Sequence, residues 1–144
     1  MRIIGFNFKE ISAKRKKPVK GQSQLKTGMN IDNIVEEGLD ISNQKALKIS
    51  FTFKIEYTPD LAEIEFKGFV LLLDEKNDSK KILKDWKDKK FNHPIKVNLL
   101  NFIMSKCNLK AINLEEDIGL PLHIPFPRLK PQDSTSKDST SYTG

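Results

Sequence analysis

The chain has few of the groups that catalysis or metal binding usually recruits. Its 144 residues include one cysteine (Cys107), two histidines (His93 and His123) and one tryptophan (Trp86). A single cysteine excludes an intrachain disulfide framework and suits a reducing interior, so a cytoplasmic protein is expected. One thiol and two separated imidazoles do not make a zinc spacing. The chain also lacks a glycine-rich phosphate loop and a nucleophile elbow, and nothing in it calls for a cofactor. No apolar run approaches the ~20 residues that span a bilayer. The opening MRIIGFNFKE has no apolar stretch leading to a small-residue cleavage site, so no signal peptide is expected. There is no internal repeat.

The polar groups that remain have plain explanations. Cys107 falls on an apolar helical stripe, where a thiol behaves as a small hydrophobe. His93, beside Pro94, reads as a helix-cap residue, and His123 as a surface or partner-contacting residue. Glu115, Glu116 and Asp117 read as acids in the first turn of a short helix, where the dipole favours them, rather than as a cation site. The expectation is a protein that is not an enzyme.

What is present suits one compact domain over residues 1–130. With 38% hydrophobic and 31% charged residues, the chain can bury a core and stay in water. From residue 131 onward, PQDSTSKDSTSYTG has nothing to bury and reads as a disordered Ser/Thr-rich tail. The net charge of +6 is unevenly placed. Residues 1–26 hold eight cations against Glu10 alone, a net +7, and the rest of the chain sums to −1. The basicity therefore belongs to one segment, centred on Lys14, Arg15, Lys16, Lys17 and Lys20, and not to a whole surface.

Periodicity orders the elements. Ile4, Phe6 and Phe8 alternate as a half-buried strand, and the slip to Ile11 and Ala13 predicts a bulge near Lys9-Glu10. Pro18, Gly21 and Gly28 mark a loop, followed by a shorter strand through Met29 and Ile31. In LKISFTFKIEY every odd position from Leu47 to Tyr57 is apolar, and Thr58-Pro-Asp60 turns the chain into Ala62, Ile64 and Phe66. This is an antiparallel hairpin. After Gly68 the second strand is apolar on both faces, so its second face needs a local cover, a subunit or a ligand. A short helix with Ile82, Leu83 and Trp86 on one face follows Asp78 or Ser79 as cap. A longer helix begins behind Pro94, with Asn92 or His93 as its cap. A third, short helix starts near Asn113 and is closed by Gly119. The last apolar segment, GLPLHIPFPRL, carries three prolines that forbid a helix and disfavour an inner strand. The fold class is α+β: a four-stranded antiparallel sheet with C-terminal helices on one face.

Three local patterns in this order resemble the SecB export-chaperone family. They are EFKGFV at 65–70, a last sheet strand with an internal glycine; NHPIKVNLLNFIM at 92–104, the approach to a principal helix; and GLPLHIP at 119–125, the arm that follows it. The resemblance implies a homo-oligomer, dimer or tetramer, whose apolar grooves hold unfolded or partner polypeptides without nucleotide or cofactor. Carried onto this chain, the groove would draw on Phe69, Leu71 and Leu73 of the strand and Leu120, Leu122, Ile124 and Phe126 of the arm. Trp86 can lie at a groove edge or in the core. The arm can likewise be core, if it packs against the doubly apolar strand within the subunit, or groove wall.

The chain also departs from that pattern. SecB proteins are acidic and dock a basic surface of the translocation motor, whereas this chain is basic. Delivery to export is therefore doubtful, and a role in toxin–antitoxin control fits equally. A rival reading is a basic accessory protein attached to RNA or the ribosome through residues 14–20. No aromatic residue that could stack a base is interleaved with those cations.

Overall fold

The computed structural model describes residues 2–19, 24–39, 44–74, 78–125, 127, 129 and 131. Lys20, Phe126 and almost all of the tail after 130 lie outside these residues. The elements run β1 (Arg2–Arg15), β2 (Gln24–Gly38), β3 (Lys45–Thr58), β4 (Ala62–Leu73), α1 (Ser79–Lys87) and α2 (Ile95–Ile118). All strand pairs are antiparallel in one sheet of order β1-β4-β3-β2, with both helices on the same face. Among the described residues no helix is long and apolar enough to cross a membrane.

The sheet is organised by the β3–β4 ladder. Leu47 faces Leu72, Ile49 faces Val70, Phe53 faces Phe66 and Ile55 faces Ile64, and all eight side chains are fully buried. Cross-strand apolar pairs on one face commit that face to the core. Phe51 has no side chain opposite it, because its partner is Gly68. A Cβ built on Gly68 would fall on the carbonyl oxygen of Asn7 and 2.9 Å from Phe51 Cζ. The glycine lets β1 close on one side while the Phe51 ring lies across it. Phe6 stacks on Phe51 at 5.5 Å and meets Phe102 of α2 at 5.8 Å, so the aromatic row continues from sheet to helix.

Bulges decide which edge residues reach the core. The expected slip in β1 is present as a register shift between Phe8 and Glu10. A second shift, between Ile3 and Gly5, corrects the reading of the strand start. It turns Ile3 inward and leaves Ile4 41% exposed. In β2 a shift between Ile31 and Asn33 lets Ile31 and Ile34 both face the helices. This strand is also longer than its periodicity suggested, at 15 residues. Gly28, read as loop, pairs with Lys54 inside it on the face away from the helices.

The helix layer differs from expectation at its end. α2 is one continuous helix of 24 residues, and no third helix begins at Asn113. Leu99, Ile103, Cys107, Ala111 and Glu115 form an unbroken buried row at spacing four, so nothing interrupts the packing where a break was expected. Glu115, Glu116 and Asp117 therefore sit in the last turn, against the dipole. The Arg15 guanidinium lies beside this helix end, its Nη1 3.1 Å from where a Cβ on Gly119 would be. Gly119 does close the helix, with φ of 71°. The caps at the other ends are also specific. The Ile95 N–H donates to Nδ1 of His93 at 3.1 Å, as read from the sequence. At α1, Asp78 makes no side-chain cap. Asp74 does it instead, accepting from the Asp78 and Ser79 N–H groups at 3.0 and 3.2 Å.

Replacing Gly68 by Ala is expected to cost about 1–3 kcal/mol in urea unfolding, because backbone must shift. Gly28→Ala, with open space around the position, should stay within about 0.5 kcal/mol of the parent. Burial pushes the Cys107 thiol up to about 12. It should therefore resist a thiol reagent such as DTNB at pH 8 in the native protein and react at once in urea.

Candidate functional site

The apolar arm is tied to the helix end by a buried polar cluster. The Glu115 side chain is 0% exposed. Its Oε2 accepts from the His123 backbone N–H at 3.0 Å, and its Oε1 contacts the ring Nδ1 of His123. The Tyr57 hydroxyl lies 3.0 Å from Glu115 Oε2 and 2.6 Å from the carbonyl oxygen of Pro121, so one proton is shared between two acceptors. Burial, and then the neighbouring carboxylate, hold the Tyr57 phenol far above its ordinary pKa. Nε2 of His123 meets Oδ1 of Asn108 at 2.9 Å. Far from lying at the surface as expected, the His123 side chain is 3% exposed and fully partnered. The cluster draws Leu120 into the core, leaves Leu122 38% exposed and leaves Ile124 partly buried.

The structure does not bring the expected strand and arm residues together. Phe69, Leu71 and Leu73 alternate with Val70 and Leu72, so they point away from the helices. The arm packs beside Tyr57, on the helix face. Phe69 pairs with Ser50, seven residues and roughly 23 Å along the strand from Tyr57. The outer trio is covered in part by its own subunit: Lys48 Nζ lies 4.5 Å over the Phe69 ring, Leu71 fills the space above Gly5, and Leu73 is 6% exposed.

The basic segment has structural duties. β1 and β2 occupy opposite edges of the sheet, so the chain between them must cross the sheet's end past the β3–β4 turn. There the Lys16 and Lys17 N–H groups donate to the Leu61 carbonyl oxygen at 2.8 and 3.1 Å. Lys16 Nζ pairs with Asp60 at 2.8 Å, which raises the lysine pKa and lowers that of the aspartate. Arg15 lies against the α2 terminus, while Lys14 pairs across the strands with Glu63 in register.

A groove opens elsewhere, where α1 and the start of α2 approach β2. It encloses about 860 Å³ and is walled by Met29 and Ile31 of β2, Trp86 of α1, Phe91 of the connection and Leu100 of α2. Asn30 and Asn33 join it from the other face of β2, so the space wraps the strand's free edge. Edge position leaves alternate backbone N–H and C=O groups of β2 without a strand partner on that side. Lys87, Lys89 and Lys96 form the rim. Trp86 is thus the one expected site residue found here. Met29, Ile31 and Leu100 were legible only as core positions, and Phe91 gave no periodic signal at all between Lys90 and Asn92. Among the described residues no cluster of three or more His, Cys, Asp or Glu could hold a metal ion.

A scan against protein-family models found no match to this chain, and a search of curated proteins found none. Among solved structures it is similar to the SecB-like chaperone Rv1957 of Mycobacterium tuberculosis, determined in complex with a ChAD peptide from the HigA1 antitoxin Rv1956. The TM-score is 0.53 at 11% identity, over 91% of this chain and 92% of that one. At that identity the likeness is one of fold, a SecB-like α+β arrangement.

Glu115→Ala leaves the His123 backbone N–H and ring without their buried acceptor, and the Tyr57 hydroxyl with the Pro121 carbonyl alone, and should cost about 3 kcal/mol in denaturant unfolding. Glu116→Ala, one residue away and exposed, should fall within about 0.5 kcal/mol of the parent.

Proposed function

We propose that this protein is an ATP-independent, holdase-type chaperone or protein-binding module that retains extended polypeptide segments in the groove along β2. The observation that carries this reading is the groove itself: five apolar side chains beside a free strand edge. A strand edge offers backbone hydrogen bonds whatever the client sequence, and apolar walls take alternate side chains, the usual chemistry of strand addition. The fold likeness to a chaperone solved with a bound peptide supports the same reading. No nucleotide, metal or other cofactor is needed for it.

Magnitudes favour weak single contacts. Burying about 250 Å² of client apolar surface contributes roughly 6 kcal/mol at ~25 cal/mol per Å². Association costs about as much, so one groove alone holds loosely. Useful retention then requires several grooves engaging one chain, which raises effective concentration. We accordingly propose a homo-oligomer, dimer or tetramer. In support, the outward side of α2 exposes Val97 and Leu109, each at 65%, among the uncharged Asn98, Asn101 and Ser105. Depletion of charge is a mark of interface centres.

Trp86 is the sole tryptophan and serves as an internal probe. Titration with a tryptophan-free unfolded client should shift its emission, and the protein should slow that client's aggregation. Met29→Ser with Leu100→Ser should weaken binding by about tenfold or more, whereas Leu71→Ser, on the opposite sheet face, should stay within about twofold. A monomer by light scattering that neither slows aggregation nor changes Trp86 emission would reject the reading.

A further inference from the structure

We infer that the β2 groove selects polypeptide segments that carry acidic residues between their apolar ones, an inference that rests on the groove being the polypeptide site. The residues lining it include three lysines and two asparagines but no aspartate or glutamate. Lys96 is anchored, donating to the Phe91 carbonyl oxygen at 3.2 Å with its ammonium over the Phe91 ring. Lys87 and Lys89 are exposed and form no ion pair with any described residue. Lys89 ends α1 in a left-handed conformation, φ 58°, with its N–H bonded to the Trp86 carbonyl oxygen, which sets its side chain at the rim beside the indole.

The acids nearest this rim in sequence contribute nothing to its lining. Asp85 and Asp88 of the α1 segment do not line the groove. On β2, Asp32 accepts from the Thr52 hydroxyl and Glu36 pairs with Lys45 at 3.2 Å. The charged groups that line the groove are therefore all positive, and their field acts across apolar walls that focus it. A basic segment entering the groove would be repelled. A purely apolar one would bury surface beside ammonium groups and give them no partner. A segment with carboxylates among its apolar residues satisfies both demands at once. Each rim pair is partly exposed and contributes a factor of about two to three, so three together give roughly tenfold selection.

Three labelled twelve-residue peptides test this, identical in Leu, Ile and Phe positions and carrying three Glu, three Ser or three Lys between them. Binding to the full chain is read by anisotropy and by Trp86 emission at ~50 mM and ~300 mM salt. The Glu peptide should bind about tenfold tighter than the Ser peptide and the Lys peptide weaker still, with the gap narrowing at the higher salt. Lys87→Ser/Lys89→Ser should reduce the preference to the roughly two- to threefold left by Lys96, and Lys87→Glu/Lys89→Glu should invert it. Equal binding of all three peptides, an acid preference that survives both double variants, or a preference that leaves Trp86 emission unmoved overturns the inference while the groove reading stands or falls on its own. No binding by any peptide overturns both.

Discussion

The rest of the structure depends on the need to cover one apolar face of the sheet. The β3–β4 ladder makes that face continuous, from Leu47 and Leu72 at one end to Tyr57 and Ala62 at the other. Such a face must be kept from water. Four strands spaced ~4.8 Å apart are wider than one helix ~10 Å across. α2 lies over β1 and β4, and α1 takes the side of β2. The seam between them is only partly filled, by Trp86 and Phe91, and it opens at an edge strand. The groove is what remains when two helices of unequal length cover a four-stranded sheet.

The far end of α2 shows the opposite solution. There the apolar row ends in a carboxylate, and burying it demands partners. Tyr57, the His123 backbone and ring, and the tight cap at Gly119 supply them, so the chain after the helix is fixed onto the core rather than left to line a cleft. One end of the helix layer is closed by a satisfied polar cluster. The other is left open and ringed with lysines. This contrast is why the two apolar surfaces that stood out in the sequence, the doubly apolar strand and the proline-rich arm, do not meet. One is on the outer face of the sheet and the other is anchored beneath the helix end.

Much of the architecture was legible because burial leaves a period. Leu47 to Tyr57 alternate without exception, and the buried row of α2 recurs every four residues; both elements stand where their periods put them. The bulge near Lys9 was legible for the same reason, as a break in phase. The errors came where a second influence outweighed period. Ile4 looked like a partner of Phe6 and Phe8 until a second bulge rotated it out. Glu115 to Asp117 looked like the start of a helix because acids favour that position, whereas Tyr57 and His123 accommodate Glu115 at its end and Glu116 and Asp117 lie exposed to solvent. In the basic segment, the bonds of Lys16 and Lys17 to Leu61 and of Lys16 to Asp60 depend on the β3–β4 turn lying alongside, which no local pattern announces.

The sequence by itself determined the α+β class, the hairpin that carries the core and the glycine that lets β1 and Phe51 crowd β4. These follow from local periodicity and from steric demands that each residue states for itself. Only the tertiary structure decided where the open site lies. Met29, Ile31, Trp86, Phe91 and Leu100 are spread over three elements and a connection, and each alone reads as ordinary core. A groove is a shortfall in mutual packing. It exists only between elements, so it has no period and no motif, and it becomes visible only when strand order makes β2 an edge and helix length leaves that edge uncovered.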